Sequence, residues 1–112
     1  MTPMQTRSPS KPFLHQEMAV GPDDLIEITL NNPANILLLD PENYEHYRNN
    51  RPFLYAKGGY VKHSPFRLYA PSFGNWHLAI DLGGGPGHVR AWVRVFSEPT
   101  PPKEATNGQE KE

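Results

Sequence analysis

Short runs of alternating apolar and polar residues, each cut off by proline or glycine, decide what this chain can build. The sequence has 112 residues, with 13 prolines and 9 glycines. Asp24–Asn31 sets Ile26, Ile28 and Leu30 against Glu27 and Thr29, the period of a strand with one buried face. Gly21-Pro22-Asp23 supplies a turn before that run, and Asn31-Asn32-Pro33 ends it because proline has no N–H for a ladder. Ile36–Leu39 is continuously apolar and predicts a strand buried on both sides. Asp40 can accept the free N–H groups of a first helical turn, and Pro41 suits the first helical position. One short helix is therefore predicted near residues 41–47.

Gly58-Gly59 lies between Phe53–Lys57 and Tyr60–His63, which predicts a hairpin turn of two residues with positive φ. Pro65–Ala70 reads as another short strand and Pro71-Ser72-Phe73-Gly74 as a turn. Asn75–Leu82 puts Trp76, Leu78, Ile80 and Leu82 on one face, with His77, Ala79 and Asp81 on the other. His88–Phe96 puts Val89, Ala91, Val93 and Val95 on one face, with His88, Arg90, Trp92, Arg94 and Phe96 opposite. The glycine-rich run Gly83–Gly87 is expected to join these two as a hairpin. The expected fold is all-β: a single compact antiparallel β-sandwich, jelly-roll-like or barrel-like, of about six to eight short strands with one short helix.

The two ends differ from the middle. Residues 1–12 and the Pro/Glu-rich residues 97–112 lack apolar periodicity and are expected to be disordered tails, leaving residues 13–96 as the sandwich domain. Cysteine is absent, which removes disulfides and thiolate metal sites. The lack of cysteine suits a reducing compartment. No apolar run reaches the roughly 18 residues of a membrane span, and no secretory signal opens the chain. A cytoplasmic location is expected. Net charge is −1, yet between His46 and Ile80 there are five Lys or Arg residues and no Asp or Glu.

Two regions emerge as candidate binding surfaces. Nine of the twelve aromatic residues lie between Tyr44 and Trp76, interleaved with basic residues. Tyr47, Arg51, Tyr55, Lys57, Tyr60, Lys62 and Arg67 there have the chemistry to dock a partner or an anion, although core packing and solubilising edge charges explain the same pattern. The second region is the outer face of the expected last hairpin. Pairing Ile80 with Val89 would bring Asp81 near His88, Ala79 near Arg90, and His77 near Trp92, a patch suited to anion recognition or acid–base chemistry. An ordinary cross-strand charge pair accounts for it equally. Gly83–Gly87 is not a dinucleotide cradle, because a strand rather than a helix follows it. It reads as a hairpin loop, with an anion-binding nest as the lesser option. His77 and Asp81 share a face but stand about 13 Å apart by strand rise, too far for one ion; convergence of His15 or His63 with another histidine stays open.

Asn35-Ile36-Leu37-Leu38-Leu39-Asp40, Asn43-Tyr44, Gly58-Gly59, Ser64-Pro65, Arg67-Leu68 and Gly74-Asn75-Trp76-His77-Leu78-Ala79-Ile80-Asp81-Leu82-Gly83-Gly84 together resemble the small bacterial family called domain of unknown function 1883. The resemblance covers roughly Phe13 to Val95. The chain departs from the usual pattern at Gly21-Pro22-Asp23, where members more often show Gly-Asp directly. The resemblance implies a compact β-sandwich, found alone or beside a TIR-type signalling domain, with no established activity and no catalytic residues to carry over.

The reading that follows is a non-enzymatic binding module for a partner protein or an anionic ligand, with no cofactor and no metal. A homodimer through Trp92 and Phe96 is one alternative, and a small enzyme using Asp81, His77 and His88, or a histidine-bound metal, is another. Nucleic acid is disfavoured, because a near-neutral chain makes few phosphate contacts.

Overall fold

The alternation forms strands where it is expected, and the turns set how they meet. In a computed structural model, which describes residues 12–97, the elements run β1 (Phe13–Val20), β2 (Asp24–Leu30), β3 (Ala34–Leu39), α1 (Pro41–Arg48), β4 (Lys57–Val61), β5 (Phe66–Tyr69), β6 (Gly74–Asp81) and β7 (Ala91–Ser97). Two antiparallel sheets result, ordered β1-β6-β3-β4 and β5-β2-β7. They pack face to face as a sandwich and do not close into a barrel. The tails expected from the sequence lie outside the described residues, apart from Pro12 and Ser97. Among the described residues no helix is long and apolar enough to cross a membrane.

One core lies between the sheets. Ile26 and Ile28 of β2 and Leu68 of β5 meet Met18, Val20, Ile36, Leu38, Trp76, Leu78 and Ile80 of the larger sheet. The indole N–H of Trp76 donates to the carbonyl of Ser72 at 2.9 Å, so its polar atom is satisfied where the ring is buried. A second core lies on the opposite face of the larger sheet, where Leu37, Leu39 and Ala79 pack under Tyr47, with Phe13, Tyr44 and Phe53 around them. The expectation that Ile36–Leu39 is buried on both sides is met because β3 is central and helix-covered.

The start of α1 follows from local chemistry. The Asp40 carboxylate accepts the backbone N–H of Asn43 at 2.7 Å, and Pro41 occupies the first turn, where a missing N–H costs nothing. The helix ends at Asn49, and Asn50 takes a positive φ of 59°.

Two expected pairings do not occur. Gly58-Gly59 is not a hairpin turn: both glycines lie inside β4, with Gly58 opposite Leu37 and Gly59 opposite Ile36, while Phe53–Ala56 is not strand. Glycine is needed at Gly58 because φ is 126° and a Cβ there would stand 1.9 Å from the Ile36 carbonyl oxygen. Nor do the last two strands form a hairpin. The glycine-rich loop carries the chain from one sheet to the other, so β6 lies between β1 and β3 while β7 pairs with β2. With one exception, every strand-to-strand connection changes sheet; the exception is β3 to β4, which carries α1.

The glycine geometry generates a testable contrast. Gly59 also has positive φ (138°), but nothing lies within 4 Å of a Cβ built on it. Gly59→Ala is expected to cost about 1–3 kcal/mol through backbone strain alone. Gly58→Ala should cost distinctly more in chemical denaturation, because the clash is with backbone. Equal losses would refute the close approach of β4 to β3.

Candidate functional site

Alternation along β1, β6 and β3 places Phe13, Asp81 and Asn35 in one cross-strand row on the helix-covered face. Asp81 is 3% exposed. Its carboxylate accepts from the Asn35 amide at 2.8 Å, the Gly83 backbone N–H at 2.8 Å and the Tyr47 hydroxyl at 2.5 Å. A buried carboxylate without such partners would be strongly destabilising; here it joins β3, α1 and the crossover loop. Burial, and then the hydrogen bond to the neighbouring Asp81 carboxylate, push the Tyr47 hydroxyl far above the usual tyrosine range. Tyr47 keeps its proton and acts as a donor.

Next to this row, His15 Nε2 and His77 Nδ1 are 2.8 Å apart on neighbouring strands. Their rings are nearly parallel, with centroids 5.0 Å apart, and the Tyr44 ring lies flat against both at 4.2 and 4.4 Å. A histidine pair shares a hydrogen bond only if one facing nitrogen is bare, so at least one ring is neutral. Partial desolvation lowers the pKa of His15, which is otherwise exposed, and His77 lowers it further; Glu17 opposes this and Arg48 adds to it. Burial raises the Tyr44 hydroxyl. Among the described residues no group of three or more His, Asp or Glu is arranged to hold a metal ion.

The smaller sheet is built differently. Its inward residues enter the main core, while Leu25, Glu27 and Thr29 of β2 point the other way, flanked by Arg67 and Tyr69 of β5 and by Trp92, Arg94 and Phe96 of β7. Glu27 accepts from Arg67 at 3.0 Å and from Arg94 at 3.3 Å, and its side chain is only 14% exposed. The Arg94 guanidinium lies 4.9 Å from the centre of the Phe96 ring. Tyr69, Trp92 and Phe96 nevertheless stand 47%, 52% and 43% exposed. No described element covers this face.

These placements divide the residues singled out from the sequence. Tyr47, expected on a binding surface, is core; His77 and Asp81, expected on an outer hairpin face, are buried beneath α1. Asp81 with His88 and His77 with Trp92 are not cross-strand neighbours, because β6 and β7 belong to different sheets. Arg51 is exposed just beyond the helix, and Tyr55, Lys57, Tyr60 and Lys62 line the exposed edge around β4. Arg67 and Trp92 both lie on the open face of the smaller sheet, on opposite sides of β2. His88 and Arg90 lie on the exposed approach to β7, and His88 borders a pocket of about 170 Å³ between the glycine loop, Phe13, Leu14 and Ile80.

The convergence of His15 with another histidine, left open by the sequence, occurs with His77, whereas Asn35, Tyr44, Tyr69 and Glu27 were not foreseen as members of these clusters. For Tyr69 a signal existed, since it alternates with Arg67 on one strand face. For Glu27 there was none, because its partners Arg67 and Arg94 come from strands distant in the sequence.

A family model described as Domain of unknown function (DUF1883) matches residues 11–99. No curated protein and no solved structure matches the chain.

Two measurements test the covered layer. Tyr47→Phe removes one hydrogen bond to a buried carboxylate and is expected to cost about 1.5–3 kcal/mol in urea unfolding; no loss would mean that the hydroxyl does not anchor α1. The second is the pH response. Because the folded pKa of His15 lies below 6.5, the unfolded chain takes up protons first on acidification. Its contribution is complete above about 6.5 and is lost as pH falls toward the folded value. The urea midpoint of the wild type should therefore drop more between about pH 7.5 and pH 5 than that of His15→Gln. Parallel curves would remove the histidine pair from the stability of the fold.

Proposed function

We propose, from the premise that the chain belongs to the family Domain of unknown function (DUF1883), that this domain is a non-enzymatic interaction module whose docking surface is the open face of β5-β2-β7. A single observation carries the reading: Tyr69, Trp92 and Phe96 stand half in water around the Arg67–Glu27–Arg94 triad. Aromatic rings and arginines are the groups that dominate protein interfaces, and a fixed apolar patch with arginines beside it suits a partner protein.

The acid and base candidates favour binding over catalysis for a physical reason. Asp81 spends its oxygens on Asn35, Gly83 and Tyr47, and His77 is bonded to His15 beneath Tyr44. Such groups hold a fold rigidly and have little freedom to exchange protons with a substrate. The cations also bear on the alternative of a homodimer through Trp92 and Phe96. Arg67 and Arg94 share this side with Glu27, so a second copy placed face to face would bring like charges together. A partner with acidic groups fits better. A cytoplasmic setting suits a sequence without cysteine.

The test is site-specific photo-crosslinking in the native cell with a crosslinker at Thr29, which is exposed in the middle of the face, and a control at Gln16 on β1. Discrete protein adducts are expected from Thr29 and not from Gln16. The triple change Tyr69→Ala, Trp92→Ala, Phe96→Ala should abolish them while shifting folding stability by about 1 kcal/mol or less per residue. Adducts that survive the triple change in a folded protein would rule out this face.

A further inference from the structure

Four strands form the edges of the two sheets: β1, β4, β5 and β7. An unpaired edge is a template for another strand, and proteins usually blunt it with lysine, proline, shortness or inward charge. Lys57 and Lys62 flank the edge at β4, which also contains two glycines. β5 has only four residues and follows Pro65. The middle of β1 is His15, Gln16 and Glu17. Of these devices β7 has a single charge, Arg94, which points outward and is held by Glu27. It runs for seven residues, Ala-Trp-Val-Arg-Val-Phe-Ser, and no described strand pairs with its other side. Side chains on both of its faces remain wet, with Val95 39% and Phe96 43% exposed.

We propose that β7 receives an added β-strand from the partner, an extended acidic segment; this rests on the docking surface proposed above and specifies how it is used. The backbone of β7 supplies the hydrogen bonds, and the alternation of its side chains sets the specificity. On the outer side the added strand meets Trp92, Arg94 and Phe96 in turn, with Arg90 next along the chain, where its backbone continues the pairing with Asn31; on the inner side it meets Ala91, Val93 and Val95. The fitting segment therefore alternates small β-branched residues facing inward with outward carboxylates opposite Arg90 and Arg94, and an apolar ring between them opposite Trp92. Charge complementarity decides for this occupant. Glu27 already serves two arginines, and among the described residues Arg90 bonds only through its backbone, with Asn31. A second copy of β7 is the weaker occupant. An antiparallel self-pairing centred on the strand would set Arg94 against the same arginine of the copy.

The probe is a synthetic peptide, Val-Glu-Val-Tyr-Val-Glu-Val, added to the full chain, with affinity read by calorimetry and amide exchange by NMR. Saturable binding with at least about tenfold slower exchange at the β7 amides that point away from β2 is expected. N-methylating the peptide amides along one edge and then the other should show that one set weakens binding at least about tenfold, because it removes the ladder. The lysine-for-glutamate peptide should fail on the wild type, and Arg90→Glu should weaken binding of the glutamate peptide.

Absence of binding, or equal binding of the lysine peptide, overturns the acidic-strand proposal. Binding that shifts Tyr69 and Trp92 but ignores N-methylation at either edge overturns strand addition alone and leaves the docking face standing. Crosslinks from Thr29 that survive loss of the three rings overturn the face itself. A dimer in sedimentation, with residues 91–97 protected before any peptide is added, assigns the edge to a second copy and also overturns the proposal.

Discussion

The Asp81 carboxylate is the point on which the architecture turns. Removing a charge of this kind from water is costly, and the cost is offset only when its oxygens are met by well-placed donors. Those donors come from three separate parts of the chain: Asn35 on β3, Tyr47 on α1 and Gly83 at the start of the crossover to β7. The carboxylate thus fixes where the helix sits, how the two central strands are aligned, and where the chain leaves the larger sheet. A hydrophobic residue at the same position would pack but would not specify those three directions together.

Closure of that face leaves the two sheets unequal. The larger one is covered on both sides, by the smaller sheet and by α1 with its aromatic surround, and so β3 and β6 have buried residues at nearly every position. The smaller sheet has one covered side. Its central strand β2 buries Ile26 and Ile28 completely and turns Leu25, Glu27 and Thr29 outward, where neighbouring strands supply rings and arginines. The exposed aromatics are therefore a consequence of topology: the only helix among the described residues lies on the other side of the molecule.

The same topology explains what was legible in the sequence. Local signals translated directly: Ile26, Ile28 and Leu30 declared the face of β2, Ile36–Leu39 the doubly buried strand, and Asp40-Pro41 the start of α1. Each depends on residues a few positions apart. Pairing does not. The Gly58-Gly59 signal assumed that glycines between apolar runs reverse the chain, when here they let β4 lie close against Ile36 and Leu37. The expected hairpin of β6 and β7 assumed that sequential strands are neighbours, which is the common arrangement; in this fold the loops carry the chain across the sandwich instead. That one difference separated Asp81 from His88 and His77 from Trp92, and brought His77 to His15 from 62 residues away.

In the docking role proposed for this face, its charged groups would be held before a partner arrives. Long arginine side chains lose considerable freedom when they are fixed in an interface, and that loss subtracts from affinity. Glu27, sheltered at the centre of the sheet, holds Arg67 on one side and Arg94 on the other, and Phe96 supports the Arg94 guanidinium from below. Exposed ion pairs of this type add little to folding stability. Their larger effect is to present two oriented guanidinium groups between rings that are themselves nearly rigid. The acid buried in the larger sheet and the acid at the centre of the smaller one therefore do different work: Asp81 positions the backbone, and Glu27 positions the side chains that face outward.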